Sequence, residues 1–279
     1  MGWLEALVLG LVQGLTEFLP ISSSAHLRIT AAFAGWGDPG AAFTAVTQIG
    51  TETAVVIYFR KDLLRFIKGF FRTLASPKKW MADQDSKMAW LLIIGTLPIA
   101  VLGLLFEDEI SHAFRDLRLI AFTLILFGVL LGIADKIGAK QRKLDDLTPP
   151  HGLAYGFAQA MALIPGVSRS GGTTTAGLLM GYRRESAAEY AFLLAMPAVF
   201  ASGFYKLTDI GGDNSPPWGP TIFATVISFF VGYAVIAWLM KYIKTRTFTP
   251  FVIYRVALGL ALLLLVMFGA LDPNAGPVV

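Results

Sequence analysis

Six stretches of this sequence are long and apolar enough to cross a lipid bilayer, or come close to it, and they constrain the fold more than any other feature. A transmembrane helix needs about 20 predominantly apolar residues. The six stretches are residues 41–59, 87–106, 118–135, 187–207, 219–240 and 251–271. Only 15% of the 279 residues are charged, against roughly 25% in a soluble domain. The sequence therefore predicts an all-α polytopic integral membrane protein and excludes a disordered chain, a disulfide scaffold and a typical cytosolic enzyme.

Two further apolar regions are each interrupted by a polar centre. Residues 3–35 are divided by the segment 16–26, and residues 152–181 are divided by the segment 165–173. Each apolar half is too short to cross a bilayer, and non-helical backbone at membrane depth must be buried in protein or line a cavity. Both regions are therefore predicted to be re-entrant helix–loop–helix hairpins, which brings the prediction to six transmembrane helices plus two such hairpins.

The basic residues are distributed unevenly among the loops. Seventeen of the 23 Lys and Arg residues lie in four segments, which are 60–87, 136–143, 183–184 and 241–246. Because cytoplasmic loops carry an excess of Lys and Arg, these segments are predicted to face the cytoplasm and the C-terminus to face outside. The first hairpin then enters the membrane from outside and the second from the cytoplasm.

This orientation predicts an inverted-topology repeat within a single membrane domain. Residues 1–140 and 141–279 each contain one hairpin followed by three transmembrane helices, in opposite orientations. Inverted repeats with discontinuous helices place a binding site near the middle of the membrane. We therefore expect the two hairpin tips to meet and to form the functional site.

The second hairpin tip has the features of a phosphate site. Gly171 and Gly172 allow the backbone to approach a ligand closely, and the half-helix that follows presents free N–H groups and a positive dipole end. Arg169 adds a planar charge that suits phosphate oxygens. A structural turn in which Arg169 pairs with a carboxylate is the alternative, although an intramembrane arginine is costly and usually functional.

The first hairpin tip carries hydroxyl and imidazole groups. Ser22, Ser23 and Ser24 precede His26, and a spacing of three residues places Ser23 and His26 on one helical face. A hydroxyl beside an imidazole is the minimum for a nucleophile with a general base. The alternative is helix capping by Ser22 or Ser23 with an incidental histidine. Together the two tips suit a phosphate ester or anhydride whose remainder is a lipid.

Three more charged residues are predicted at membrane depth. Glu17 could bind a divalent cation, orient His26 or pair with Arg169. Glu52, in the first predicted span, could make a packing hydrogen bond between helices or act as a site ligand. Arg255 could be a second phosphate ligand, or it could extend to the cytoplasmic surface of the membrane, which is the favoured interpretation.

The chain resembles the undecaprenyl-diphosphate phosphatases, the bacitracin-resistance family that recycles the bacterial polyprenyl carrier lipid. The resemblance covers nearly the whole chain. The segment from Gln13 to His26 is similar to the family's (E/Q)xxxE box with its following serines and histidine, and the segment from Pro165 to Thr173 matches PGxSRSxxT. The resemblance implies hydrolysis of undecaprenyl diphosphate to undecaprenyl phosphate and inorganic phosphate, with help from Mg²⁺ or Ca²⁺.

The resemblance also implies roles for individual residues. The residues expected to be catalytic are Glu17, Ser23 and His26, with Ser23 as the nucleophile and His26 as the base. A cation-bound water or His26 itself remains open as the nucleophile. The residues expected to bind phosphate are Ser168, Arg169, Ser170, Gly171, Gly172 and Thr173. The further site candidates are Gln13, Ser22, Ser24, Glu52 and Arg255.

The segment from Gln13 to His26 departs from the family pattern at two positions. Ala25 replaces a glycine that is common before the histidine, which should be tolerated at a helical position. Gln13 stands where other members have a glutamate, so a site with two carboxylates in this box is not expected. We hypothesise that Glu52 supplies the second carboxylate and forms a metal site with Glu17.

A membrane transporter or flippase of a lipid phosphate is the competing function, because an inverted repeat with broken helices suits a carrier as well. The pairing of Ser23 with His26 favours the enzyme. The expected partners are a polyprenyl diphosphate lipid and the bilayer, without nucleic acid, and a homodimer is left open. The expected location is the bacterial inner (plasma) membrane, with the active site facing outside.

Overall fold

The computed structural model of the protein describes residues 1–74, 80–106, 116–211 and 215–273. Within these ranges the chain forms eleven α-helices and three short 3-10 helices, so the all-α prediction is confirmed. The α-helices in chain order are α1 Trp3–Thr16, α2 Ser23–Phe33, α3 Gly40–Tyr58, α4 Arg60–Leu74, α5 Gln84–Leu105, α6 Leu117–Ile137, α7 Pro149–Ala160, α8 Arg169–Leu179, α9 Arg184–Tyr205, α10 Trp218–Tyr242 and α11 Thr249–Met267. The 3-10 helices are Leu144–Asp146, Met161–Leu163 and Lys206–Asp209.

Five of the described helices are long and apolar enough to span a bilayer, namely α5, α6, α9 with its 3-10 extension, α10 and α11. They correspond to five of the six predicted spans. The sixth predicted span, 41–59, forms α3 but is not among the five, because Gln48, Glu52 and several threonines make it less apolar. Thr44, Thr47, Thr51 and Glu52 are buried, and α3 packs against both α9 and α10. The polar side of α3 therefore faces protein.

Both predicted hairpins form helix–loop–helix units in the structure. The half-helices α1, α2, α7 and α8 contain 14, 11, 12 and 11 residues, which is shorter than the roughly 20 residues that a bilayer requires. Pro20 and Pro165 lie in the two connecting loops. Each second half-helix starts after a serine N-cap, Ser22 or Ser168.

Each hairpin packs against a helix from the opposite half of the chain. Helix α1 lies along α10, and α7 lies along α5. A β-carbon at Gly10 would lie 2.7 Å from the carbonyl oxygen of Ala224, and one at Gly156 would lie 2.5 Å from that of Gly95. Small residues allow such close approach of helices in membranes. Helices α6 and α11 pack together, and α8 contacts both α6 and α9, so the loops of the hairpins are enclosed by long helices.

Candidate active site

The loops of the two hairpins meet at one place, as the sequence predicts. Ser22 Oγ accepts a hydrogen bond from the backbone N–H of Gly166 at 3.1 Å. The hydroxyl of Ser170 donates to the carbonyl oxygen of Leu19 at 3.1 Å. The Ser24 hydroxyl lies 3.3 Å from that of Ser22 and so supports the position of the Ser22 side chain. These bonds join the loops of both halves into one surface.

Each second half-helix is capped by a serine whose backbone is left-handed. The φ angles of Ser22 and Ser168 are 74° and 69°, a region that residues other than glycine seldom adopt. Ser22 Oγ accepts from the N–H of Ala25, and Ser168 Oγ accepts from the N–H of Gly171. Such strained conformations cluster at functional sites. Capping therefore accounts for Ser22 and Ser168, and it leaves the hydroxyl of Ser23 available for another role.

Glu17 is at the centre of the residues that the two tips bring together. Its Oε2 atom accepts hydrogen bonds from Ser23 Oγ at 2.5 Å and from Gln13 Nε2 at 2.6 Å. Its Oε1 atom binds Nη2 of Arg169. Glu17 and Ser23 are buried, and the Arg169 side chain is 15% exposed. One buried carboxylate thus links a hydroxyl from the first tip to the guanidinium of the second.

Arg169 also reaches a second carboxylate. Its Nη2 atom lies 3.8 Å from Oε1 of Glu52, so the structure brings Glu52 to the same guanidinium as Glu17. The Oε2 atom of Glu52 and the Oε1 atom of Gln13 are buried and have no hydrogen-bond partner among the described residues. In the part of the chain that the structure describes, no group of three or more His, Cys, Asp or Glu residues could hold a metal ion.

Both ring nitrogens of His26 are engaged by groups other than Ser23. Nδ1 lies 2.7 Å from the carbonyl oxygen of Ser22, and Nε2 lies 2.7 Å from the hydroxyl of Tyr254. A carbonyl only accepts hydrogen bonds, so Nδ1 carries the hydrogen, and Nε2 of the neutral ring accepts from Tyr254. The hydroxyl of Ser23 donates to Glu17, so the structure pairs Ser23 with a carboxylate, and the role of His26 as its base stays a prediction.

Arg255 lies inside the protein, against backbone carbonyl groups of both hairpin loops. The residue is fully buried, so the expectation that it extends to the cytoplasmic surface is wrong. Nη1 donates to the carbonyl oxygen of Pro20 at 3.0 Å, and Nη2 donates to those of Gly166 at 2.7 Å and Val167 at 3.0 Å. Nε donates to the carbonyl oxygen of Leu124 at 3.2 Å. This side chain therefore ties both hairpin loops to α6.

Three of the predicted phosphate ligands have packing roles at the start of α8. The Thr173 hydroxyl is buried and donates to the carbonyl oxygen of Arg169 at 2.6 Å. A β-carbon at Gly171 would lie 2.7 Å from Nη1 of Arg255, and one at Gly172 would lie 3.2 Å from a carbonyl oxygen of α7. The two glycines thus make room for neighbouring groups, and Arg169 is the residue of this tip that reaches the carboxylates.

Tyr254 is the site residue that sequence reasoning misses. Its ring lies almost parallel to that of His26, at an interplanar angle of 13° and a centroid distance of 5.5 Å. Aromatic residues are common in membrane proteins, so composition does not distinguish this tyrosine. The one sequence signal is its place directly before an intramembrane arginine, Arg255.

The arrangement suits nucleophilic attack on phosphorus. A hydroxyl that donates to a carboxylate can lose its proton as it attacks, and Ser23 has this relation to Glu17. A guanidinium beside them can bind phosphate oxygens and stabilise the negative charge that develops on them. The site therefore brings a hydroxyl, a carboxylate and a guanidinium into contact.

Comparison with known proteins finds close relatives over almost the whole chain. A family model described as bacitracin resistance protein BacA matches residues 6–261. An undecaprenyl-diphosphatase of Thermobifida fusca (strain YX) is 62% identical over 276 residues, which cover 99% of this chain and 94% of that protein. A protein of the same name from Streptomyces griseus subsp. griseus is 61% identical over 288 residues, which cover 99% of each chain. Another, from Pseudarthrobacter chlorophenolicus, is 57% identical over 277 residues, which cover 98% of this chain and all of that protein.

Replacing Arg255 by lysine should destabilise the protein strongly. A lysine has its three donors on one nitrogen, whereas Arg255 donates from three separate nitrogens to carbonyl groups of both loops and of α6. Each buried acceptor left unpaired costs about 1–3 kcal/mol. The thermal unfolding midpoint in detergent measures this loss. The control is Arg118→Lys, in a pair with Asp116 where the arginine is 57% exposed, and an equal effect of the two substitutions would contradict the assignment.

Proposed function

Because the chain belongs to the bacitracin resistance protein BacA family, we propose that it hydrolyses undecaprenyl diphosphate to undecaprenyl phosphate and inorganic phosphate. This reaction would recycle the carrier lipid for cell-wall synthesis. Relatives named undecaprenyl-diphosphatase support the assignment at 57–62% identity. The observation that carries it is the hydrogen bond from Ser23 to the carboxylate of Glu17, which also binds Arg169.

In the first step, Ser23 Oγ attacks the terminal phosphorus of the diphosphate. The hydroxyl proton passes to Glu17 Oε2, which lies 2.5 Å from Ser23 Oγ. The bond between the terminal phosphorus and the bridging oxygen breaks, and undecaprenyl phosphate leaves with the electron pair and takes the proton from Glu17. Arg169 shifts its contact from Glu17 to the phosphoryl oxygens, where a donor of this kind lowers the barrier by about 3–4 kcal/mol.

In the second step, water attacks the phosphorus of the phosphorylated Ser23. Glu17 takes one proton from the water and returns it to the departing serine oxygen. Inorganic phosphate is released, and the hydrogen bond between Ser23 and Glu17 forms again. One carboxylate thus serves as base and then as acid, which is common in hydrolases that form a covalent intermediate.

His26 supports the nucleophile in this proposal and does not take its proton. Its Nδ1–H group holds the carbonyl oxygen of Ser22, the residue directly before Ser23. The hydroxyl of Tyr254 fixes the opposite side of the ring. His26 and Tyr254 are therefore positioning residues for the first hairpin tip.

We also propose that a divalent cation, Mg²⁺ or Ca²⁺, binds at Glu17 and Glu52. The buried acceptor atoms Gln13 Oε1 and Glu52 Oε2, which lack a hydrogen-bond donor, fit oxygen ligands of such an ion. Mg²⁺ in proteins is usually bound by one or two carboxylates together with phosphate oxygens. When bound, the cation would neutralise part of the charge of the diphosphate.

For the membrane arrangement we propose six transmembrane helices and two re-entrant hairpins in an inverted repeat of residues 1–140 and 141–279. Helix α3 has 19 residues, about 28 Å at 1.5 Å per residue, and would complete the six. The reciprocal packing of α1 on α10 and α7 on α5 supports the repeat, as do the matching caps Ser22 and Ser168. With the basic segments in the cytoplasm, the Ser23 hairpin and the active site open to the outside of the bacterial inner membrane.

Transport of a lipid phosphate is not favoured as the primary function. A carrier needs an anion-binding residue such as Arg169, but it does not need a hydroxyl that donates to a carboxylate. A Ser23→Ala variant that moved lipid phosphate across vesicles at the wild-type rate, in a protein that released no phosphate, would favour the carrier.

Replacing Ser23 by alanine, Glu17 by glutamine or Arg169 by alanine should each lower kcat/KM at least about 10²-fold, the scale of losing a base or a charged donor. The measurement is inorganic phosphate release from undecaprenyl diphosphate by the purified protein in detergent. Ser202→Ala, which removes a hydroxyl that donates within α9 to Val199, should keep wild-type activity. Wild-type activity of Arg169→Ala would contradict the mechanism. The mechanism also predicts an acid-stable phosphoserine when the reaction is quenched, so an acid-labile phosphohistidine would contradict it as well.

Replacing Tyr254 by phenylalanine should lower kcat about 10-fold and leave KM nearly unchanged, because the His26 ring loses its fixed orientation. Substitutions in contacting residues are not additive, so Tyr254→Phe should cause no further loss in a His26→Ala background. We expect a loss of at least about 10²-fold for His26→Ala alone. Tyr205→Phe, at a residue 60% exposed, is the control, and additive losses in the double variant would exclude a shared role of His26 and Tyr254.

Removing divalent cations with EDTA should abolish phosphate release, and Mg²⁺ or Ca²⁺ should restore it. In Glu52→Gln the cation concentration for half-maximal activity should rise at least about 10-fold, as for loss of a supporting ligand. Asp145→Asn removes an exposed carboxylate and should leave that concentration unchanged. Full activity in EDTA would remove the cation from the proposal.

A further inference from the structure

We propose that helix α4 lies flat in the membrane surface beside the basic loops and binds the headgroups of anionic phospholipids. The helix carries none of the residues assigned to phosphate release. The proposal is therefore independent of the hydrolytic mechanism, and it concerns the lipids around the protein.

Helix α4 packs on the N-terminal end of α5, between Asp83 and Trp90, and not along its length. Nη2 of Arg65 lies 3.1 Å from Oδ1 of Asp85, and Nη2 of Arg72 lies 2.7 Å from Oδ2 of Asp83. Seven helical residues separate the two arginines along α4 by about 10 Å, yet both reach the same end of α5. Because α5 is long and apolar enough to span the bilayer, a helix across its end lies close to the plane of the membrane surface.

One face of α4 is packed and a second face is apolar and open. The packed residues are Phe66, Gly69 and Thr73. The apolar residues of the open face, with their exposed fractions, are Leu64 at 57%, Ile67 at 52%, Phe71 at 64% and Leu74 at 48%. They recur every three or four residues and so form one stripe along the helix. An exposed apolar stripe of this kind marks a contact surface. At this position the stripe would contact the acyl chains of the lipids.

The third face of α4 is basic. Residues 60–74 contain five basic residues and one acidic residue. Arg65 and Arg72 are paired with carboxylates, whereas Lys61 and Lys68 have no carboxylate partner within the described ranges. An amphipathic helix with lysines beside its apolar face binds in the interface and is attracted to anionic lipids.

The charge and the position of α4 together indicate what binds to this surface. A second copy of the chain would bring two strongly basic helices together, which like charges oppose. A soluble acidic partner would match the lysines but would leave the apolar stripe of α4 without a hydrocarbon environment. A phospholipid with an anionic headgroup matches both faces of the helix at once.

The absence of cysteine from the chain allows a direct test of how α4 is oriented. Single-cysteine variants Phe71→Cys and Lys68→Cys carry a nitroxide label in the full-length protein, in nanodiscs with equal amounts of phosphatidylglycerol and phosphatidylcholine. The label at Phe71→Cys should be more accessible to oxygen than to a water-soluble nickel chelate, and the label at Lys68→Cys should show the reverse. Access of the nickel chelate to both labels, or protection of the Phe71→Cys label from both reagents, would overturn the orientation.

The lipid preference is tested by the association of spin-labelled phosphatidylglycerol relative to phosphatidylcholine. The double variant Lys61→Gln/Lys68→Gln should lower this preference at least about twofold, because each basic residue near the surface contributes to the attraction. The matched control Lys136→Gln/Lys140→Gln removes the same charge at the end of α6 and should keep the wild-type preference, and both variants should release phosphate normally. An unchanged preference in Lys61→Gln/Lys68→Gln, an equal loss in the control, or competition by inorganic phosphate would overturn the proposal.

Discussion

The buried guanidinium of Arg255 is the interaction on which both broken hairpins depend. A chain that turns back inside a membrane leaves carbonyl groups that no water can reach, and each unpaired group costs several kcal/mol. Arg255 donates to carbonyl oxygens of both loops and of α6, and only arginine has five N–H donors in one plane. The positions of Ser23 and Arg169 therefore rest on a residue that belongs to neither loop.

The two carboxylates of the site depend on one arginine. Glu17 and Glu52 are both buried and share contacts with one guanidinium, that of Arg169. Buried charges are tolerated when they are paired, and Arg169 is the group that pairs with Glu17. A phosphate group that draws Arg169 away from Glu17 removes that pairing. The proposed cation would replace it, and substrate binding would then exchange the anionic partners of a single arginine.

Much of this site could be predicted from the sequence because its motifs are local. The polar centres of the two hairpins have no place in a lipid-facing helix, so their meeting point and the proximity of Glu17 and Arg169 follow from the pattern of apolar residues. The partner of Ser23 could not be predicted in the same way. A spacing of three residues places Ser23 and His26 on one face, but the carboxylate that takes the hydrogen bond comes from the preceding half-helix. The role of Arg255 could not be predicted either. Its acceptors are backbone carbonyl groups, and because every residue has one, the sequence does not show which of them the arginine binds.

The packing of α1 on α10 has a consequence for the order in which the protein can be made. Helix α1 ends at Thr16, and its packing partner begins at Trp218. More than two thirds of the chain must therefore be synthesised before the first hairpin can pack against α10. Arg255, which binds the loop of this hairpin, is synthesised later still. Glu17, Ser23 and His26 are therefore among the earliest residues to leave the ribosome, but the contacts that position them are completed among the last.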